Sequence, residues 1–511
     1  MSGLDAGFFF GENDKTPLQI ASVAVFEGEP PSYDDLVRLI LTKLPQVPRY
    51  RQRVRTIPLN IARPVWVDDQ HFQIHYHVRH AAVPPPGDTQ ELRNLVGRIL
   101  AQRLDFSRPL WEAWLIEGLQ GGRWAVISKT HHCMMDGIGG SDLMTLMFGL
   151  SPDEGPPPEP VPWTPDAEPS TASLVLDGVR ATVGESLRQV ADIPRLAGRL
   201  ASDEVADFTN ALPEYASRLT YPGPPALNGP ASPHRRWWLA RTELEEVKRT
   251  RRAIGVKVND VILAAVARGF RDLLRARGVL SADSLVRTMV PVSIRARGQD
   301  DMMTNRVSMV LVNLPCGEPD PLRRLELVRA QMASLKASHQ EVGPDTFVRL
   351  IGMAPVLLPA IARAIIGMHQ PVIHAVTTNV PGPPIPLYVL GRKLVEVYPY
   401  VPIATGFRVS IGIVSYLGGL FFGLTGDFDA MPDIDVLGDG IIAGIHELAQ
   451  AAESATPVTG EGVSAQTGEG VSAETGEGVS AQTGNGASAK TGNGASAKTG
   501  KRGLTPVPSP R

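Results

Sequence analysis

The chain has 511 residues, 43% of them hydrophobic, and a formal net charge of −3. That length and apolar content suffice for a large core and two domains, and a nearly balanced, slightly acidic charge gives no electrostatic footprint for a nucleic acid. Two cysteines, Cys133 and Cys316, are too few for a disulfide framework and suit a reducing cytoplasm. The N-terminus lacks the basic and apolar regions of a signal peptide. No uninterrupted run of about 18 apolar residues occurs. The nearest, Ile351 to Met368, contains Pro355, Pro359 and Arg363 and is expected to form a buried or interfacial helix, in a protein that is soluble or lies on a membrane surface.

In chain order, Leu4-Asp5-Ala6-Gly7-Phe8-Phe9 opens the fold and Ile20 to Phe26 reads as the first strand. Ser32-Tyr33-Asp34-Asp35 is a helix N-cap pattern, followed by Leu36, Leu39, Ile40 and Leu44 at helical spacing. His71, His75 and His77 alternate with Ile74, Tyr76 and Val78, which predicts a strand with a polar, solvated histidine face; no carboxylate or cysteine nearby completes a metal set. Thr89 to Leu104 predicts a helix with Leu92, Leu95, Val96, Ile99 and Leu100 on one stripe. Pro109-Leu110-Trp111 enters a strand that ends at Gly121-Gly122, a hairpin into the apolar strand Trp124 to Ser128.

That strand delivers Thr130-His131-His132-Cys133-Met134-Met135-Asp136-Gly137, before Ile138 to Met144 turns to helical spacing. Side chains at the end of a rigid strand are well placed for chemistry, and a histidine takes and returns a proton near neutral pH. Asp136 can pair with a buried cation and fix the loop, and Gly137 permits a backbone angle closed to other residues. Cys133 beside His132 is a candidate nucleophile for a covalent route.

Residues 151–230 form a Pro-rich crossover around a moderately amphipathic segment, Ser173 to Leu200. The second half restarts with a strand at Arg235 to Leu239 and a capping-box pattern, Thr242-Glu243-Leu244-Glu245. Asn259 and Asp260 precede a helix carrying Ile262, Val266, Phe270 and Leu273, where either side chain can cap free N–H groups. Strands are predicted at Arg287 to Arg295, Thr304 to Leu314 and into Val376 to Pro383, with two more between Gly406 and Asp427 and a last helix from about Pro432 to Ala451. From Thr459 the octapeptide Thr-Gly-Glu-Gly-Val-Ser-Ala-Gln recurs with drift; with few bulky apolar residues it is expected to be disordered.

The His131-His132-x-x-x-Asp136-Gly137 string resembles the active-site motif of the chloramphenicol acetyltransferase-like acyltransferases. Leu4-Asp5-Ala6, Pro109-Leu110-Trp111, Asn259-Asp260 and Asn379 to Pro383 follow the order of motifs in the bacterial wax ester synthase/acyl-CoA:diacylglycerol acyltransferase family, with Thr378 where that family usually has serine. The resemblance implies an α/β (α+β) fold of two similar domains, each a mixed sheet with flanking helices, and an active site in a tunnel between them. The divisions are then 1–150 for the domain carrying the histidine motif, 151–230 for the crossover, 231–453 for the second domain and 454–511 for the repeat tail.

It further implies transfer of a fatty acyl group from acyl-CoA to diacylglycerol or a long-chain alcohol. His132 is then the general base, His131 a support and Asp136 a structural anchor, with Gly137 beside them. Asn259, Asp260, Thr378 and Asn379 shape the site, and Pro109, Leu110 and Trp111 are a structural motif. Acyl-CoA is a co-substrate, and the reaction requires no metal or redox cofactor. The expected setting is cytoplasmic, peripheral at the inner membrane face or a lipid droplet, as a monomer or weak homodimer without nucleic acid. A non-catalytic lipid-binding or droplet-coating protein of the same fold, and a condensation-domain-like acyltransferase with another acceptor, are the alternative readings.

Overall fold

The computed structural model of the chain describes residues 1–134, 143–153, 155–180, 224–294, 306–341 and 373–455. Asp136, Gly137, the start of the Thr304 strand, the Ile351–Met368 run and the repeat tail lie outside the described residues.

The helices begin where short polar side chains take free backbone donors. In α1 (Gly3–Gly11), Ser2 Oγ accepts the Asp5 N–H. The Ser32 hydroxyl caps α2 (Tyr33–Lys43) through the Asp35 N–H, and Asp88 caps α4 (Thr89–Ala101) through the Glu91 N–H at 2.9 Å. Their apolar stripes, Leu36 and Ile40 on α2 and Val96 and Leu100 on α4, enter one core with the first sheet.

That sheet consists of β1 (Gln19–Glu27), β4 (Val78–Ala82), β5 (Trp111–Leu119), β6 (Arg123–His131), β12 (Tyr388–Val389) and β13 (Arg392–Tyr400), in the order β12-β13-β1-β6-β5-β4. β4 and β5 are parallel and the other neighbours antiparallel. A small pair, β2 (Gln52–Arg55) and β3 (Val65–Asp68), lies outside it. The turn from β5 to β6 uses Gly121 and Gly122, both at positive φ, 81° and 64°, a backbone that other residues adopt only with strain. β6 is flanked on both sides and buried along almost its whole length, and its first half, Trp124 to Ile127, is a continuous apolar run.

The second sheet contains β8 (Arg235–Glu243), β9 (Leu285–Ile294), β10 (Arg306–Pro315), β11 (Ala375–Pro381), β15 (Val409–Tyr416) and β16 (Gly419–Asp427), in the order β10-β9-β11-β15-β16-β8. β11 runs parallel to both neighbours. Two short strands, β7 (Asn228–Gly229) and β14 (Gly406–Phe407), pair beside it. The helices of this half follow α3 (Ile74–His77) and α5 (Leu143–Met147) as α6 (Leu244–Ile254), α7 (Val258–Ala276), α8 (Pro321–Glu341) and α9 (Ile434–Ala455), with residues 171–180 also helical in the crossover. α7 packs along α9, and both bury their apolar faces against the second sheet.

β13 ties the halves together. It follows β11 in the chain yet pairs with β1 in the first sheet, and its other face packs on β15 and β16. The approach is so close that a Cβ at Gly423 would sit 1.8 Å from the Pro399 carbonyl oxygen, which only glycine tolerates.

Two expectations are corrected. Residues Ile74–His77 form one turn of helix, α3, instead of a strand face, and His77 is buried, its ring stacked on Trp111 at 4.7 Å with Nδ1 2.8 Å from the Trp111 carbonyl. The Thr242–Glu245 capping box does not form: α6 starts after Glu243 with no side-chain cap, and Thr242 instead lies in β8 with its hydroxyl 3.2 Å from Glu246.

Candidate active site

The site is built on the last residue of β6. His131 Cα pairs with Gln19 of β1, and its N–H donates to the Leu110 carbonyl at 2.9 Å. The chain then enters a single 3-10 turn, His132–Met134, whose first N–H donates to the Leu18 carbonyl at 2.9 Å. Adjacent histidines therefore leave the strand in different surroundings. His131 is fully buried, whereas the His132 ring is partly exposed.

The His131 tautomer follows from its partners. Nδ1 accepts the Cys133 N–H at 3.1 Å, so Nε2 carries the proton and donates it to Glu12 at 2.9 Å. Glu12 also accepts from Arg103 at 2.7 Å and from the Leu18 N–H at 2.8 Å. Burial alone would raise the Glu12 carboxyl, but these donors hold it below the ordinary carboxylate range, so it is anionic at neutral pH.

His132 stacks face to face with Phe8 of α1, ring centroids 3.8 Å apart. Its Nδ1 is buried and has no hydrogen-bond partner among the described residues. A proton on Nδ1 leaves Nε2 as the free acceptor. Burial lowers the His132 pKa below the usual 6.5, so the imidazole is neutral and able to take a proton at pH 7. Cys133 is fully buried, and burial pushes its thiol far above the usual range. A neutral, enclosed thiol is a poor nucleophile, which removes the basis for an acyl-cysteine.

Pro109-Leu110-Trp111 sits directly against this turn. The Leu110 carbonyl holds His131, and Trp111 is buried with Nε1 donating to the Tyr50 carbonyl at 2.7 Å and its ring on His77. In the second half, Asn259 and Asp260 lie inside the first turn of α7, after Lys257. Asp260 accepts the Lys257 N–H at 3.1 Å and so caps the helix, while Asn259 accepts from Asn379 Nδ2 at 3.4 Å. Thr378 and Asn379 are half-buried on β11, opposite Gly412 and Ile413. The fold thus brings Asn259 to Asn379 and His131 to Leu110. Among the described residues no hydrogen bond or ring contact joins the asparagine pair to His132.

Glu12, Phe8, Arg103 and Lys129 carried no signal in the sequence. Lys129, two residues before His131 on β6, is fully buried, with Nζ 3.2 Å from the Ile99 carbonyl and 3.4 Å from Glu112. Among the described residues, no group of three His, Cys, Asp or Glu side chains is arranged to hold a metal ion. No helix among them is long and apolar enough to cross a membrane.

A family model for the wax ester synthase/diacylglycerol acyltransferase catalytic domain matches residues 1–262, and one for the C-terminal domain of the same family matches residues 303–449. The chain is 35% identical over 444 residues to the Mycobacterium tuberculosis protein named "Probable diacyglycerol O-acyltransferase tgs1", covering 86% of this chain and 94% of that one. It is 30% identical over 461 residues to a second protein of that organism, named "Probable diacyglycerol O-acyltransferase tgs2", covering 88% and 98%. Among solved structures, the wax ester synthase/diacylglycerol acyltransferase from Marinobacter aquaeolei VT8 superposes with a TM-score of 0.63 at 25% identity, over 88% of this chain and 98% of that one. A trichothecene 15-O-acetyltransferase from Fusarium sporotrichioides shares the fold, with a TM-score of 0.57 at 12% identity over 88% and 94%. With its paired mixed sheets, its histidine turn and these matches along most of its length, the chain belongs to the wax ester synthase/diacylglycerol acyltransferase family.

Proposed function

We propose that this chain transfers a fatty acyl group from acyl-CoA to the free hydroxyl of diacylglycerol, and also to long-chain alcohols, with His132 as general base. The observation that carries the reading is the state of His132: a neutral, partly exposed imidazole at the rigid end of a central strand, with Nδ1 enclosed and Nε2 left to accept.

An alcohol hydroxyl, with a pKa near 16, attacks a thioester only if a base takes its proton as the C–O bond forms. His132 Nε2 takes that proton while the hydroxyl oxygen adds to the carbonyl. The tetrahedral oxyanion is held by fixed donors, backbone N–H groups or the Thr378 hydroxyl. Collapse expels the CoA thiolate, which receives the proton back from His132, and the ester leaves. The buried Cys133 thiol supports this direct transfer over a covalent one. By the family motif, Asp136 is assigned the anchoring role and Gly137 stands beside it in the sequence, while Asn259 and Asn379 shape the site. Both substrates partition into lipid, so the chain works peripherally at a membrane or droplet surface, as a monomer or weak homodimer.

Purified protein is incubated with labelled palmitoyl-CoA and either a diacylglycerol or hexadecanol. Triacylglycerol is the expected main product, and a folded His132→Ala variant should lose about 10²–10⁴-fold of the rate. Absence of either labelled ester from the unmodified protein, or near-normal turnover by His132→Ala, contradicts the proposal.

A further inference from the structure

Glu12 lies just past α1, 119 residues before His131 in the chain, with its carboxylate fully buried. Three donors converge on it: His131 Nε2 at 2.9 Å and the Leu18 N–H at 2.8 Å on Oε2, and Arg103 Nε at 2.7 Å on Oε1. Two routes lead from there to His132. Leu18, fixed at its N–H by Glu12, turns its carbonyl to the His132 N–H at 2.9 Å. His131, fixed at Nε2, keeps Nδ1 free to accept the Cys133 N–H at 3.1 Å. The main chain on both sides of His132 is therefore pinned by bonds that meet at one carboxylate.

We propose that Glu12 is a positioning residue for the base: its carboxylate fixes the His131 tautomer and the backbone of the His132 turn, and so aims His132 Nε2. The inference rests on the reading of His132 as the base. Only an ionised carboxylate satisfies three converging donors. A glutamine would turn an NH₂ group toward one of them and leave two donors facing each other. If His131 then adopts its other tautomer, Nδ1–H points at the Cys133 N–H and the turn must shift. A displacement of about 1 Å at a reacting group costs on the order of 10²-fold in rate.

The test is Glu12→Gln in the full chain, assayed beside His132→Ala. Expected for Glu12→Gln is a kcat about 10²-fold lower, with KM for acyl-CoA changed by no more than roughly threefold. The histidine ¹⁵N spectrum should show His131 leaving the Nε2–H form. In a His131→Ala background the same substitution should cost less than in the unmodified chain, because the route through His131 is already cut and only that through Leu18 remains. If His132→Ala is active, the base assignment itself falls. If His132→Ala is inactive while Glu12→Gln keeps kcat within about threefold, or if Glu12→Gln and His131→Ala are additive, the positioning role is overturned. Should Glu12→Gln fail to fold, Arg103→Gln serves instead, since Arg103 is one-third exposed and holds only Oε1. It should lower kcat about threefold to tenfold at unchanged KM, and an unchanged kcat overturns the proposal equally.

Discussion

At the end of β6, His131 and His132 are fixed by bonds of 2.9 to 3.1 Å to Leu110, Leu18, Glu12 and Cys133, with Phe8 stacked on the outer ring. At the end of β11, Asn379 meets Asn259 through one side-chain bond of 3.4 Å between half-buried residues. The first arrangement suits a group that must present one nitrogen in one direction, because proton transfer depends steeply on distance and angle. The second leaves its amides free to rearrange around a substrate, since a long, half-exposed bond contributes little to rigidity. Within one pair of sheets, rigidity is concentrated where the proposed base sits.

Substitutions on the two sides break that comparison directly. His132→Ala should remove about 10²–10⁴-fold of turnover. Asn379→Ala should cost only about tenfold, the worth of one hydrogen bond to substrate or neighbour, with an unchanged melting midpoint. Steady-state kinetics of the two variants, purified in parallel, would show the asymmetry; equal losses would mean that the β11 side is as tightly engaged as the β6 side.

The floor of the rigid side can be probed by pH. Burial, the largest influence, lowers the His77 pKa to about 4, and folding therefore disfavours its protonated form. His77 contributes fully to stability above the unfolded value of about 6.5, and that contribution is lost as pH falls toward 4. The loss is on the order of 3 kcal/mol over that window. Melting followed between pH 7 and pH 4 should decline, and His77→Phe, which keeps the stack on Trp111, should flatten the decline. A slope unaffected by His77→Phe would assign the effect to other groups.

The smallest expected effect is at the C-terminus. Beyond Pro457 the sequence offers almost no large apolar side chain, so it can contribute little buried surface to the body. A chain ending at Pro457 should keep its melting temperature and its turnover on dispersed substrates. A drop of several degrees would show that the tail packs on the body.

The sequence announced what depended on local pattern. The apolar run Trp124 to Ser128 became the centre of β6, the Gly121-Gly122 pair became its hairpin, and Ser32 capped α2. The histidine turn was legible because its residues are contiguous. What holds that turn was not. Glu12 reads as part of a polar turn, Gly11-Glu12-Asn13-Asp14, and its partner is 119 residues away. Lys129 interrupts an apolar strand as a solvated lysine does, and only the tertiary structure shows Glu112 and the Ile99 carbonyl enclosing it. His71, His75 and His77 kept strand-like spacing, but a single turn of helix at Ile74–His77 buried His77 against Trp111. The crossing of β13 into the first sheet also lies beyond local pattern, because it depends on Gly423 admitting the Pro399 carbonyl from a distant strand.

The most direct measurement of whether His132 is the base is the pH dependence of kcat/KM for acyl transfer. The acid limb should fall below pH 6.5, because burial lowers the His132 pKa, and it should disappear in the residual activity of His132→Ala. An acid limb at or above 6.5, or one that persists unchanged in His132→Ala, would place the essential base elsewhere.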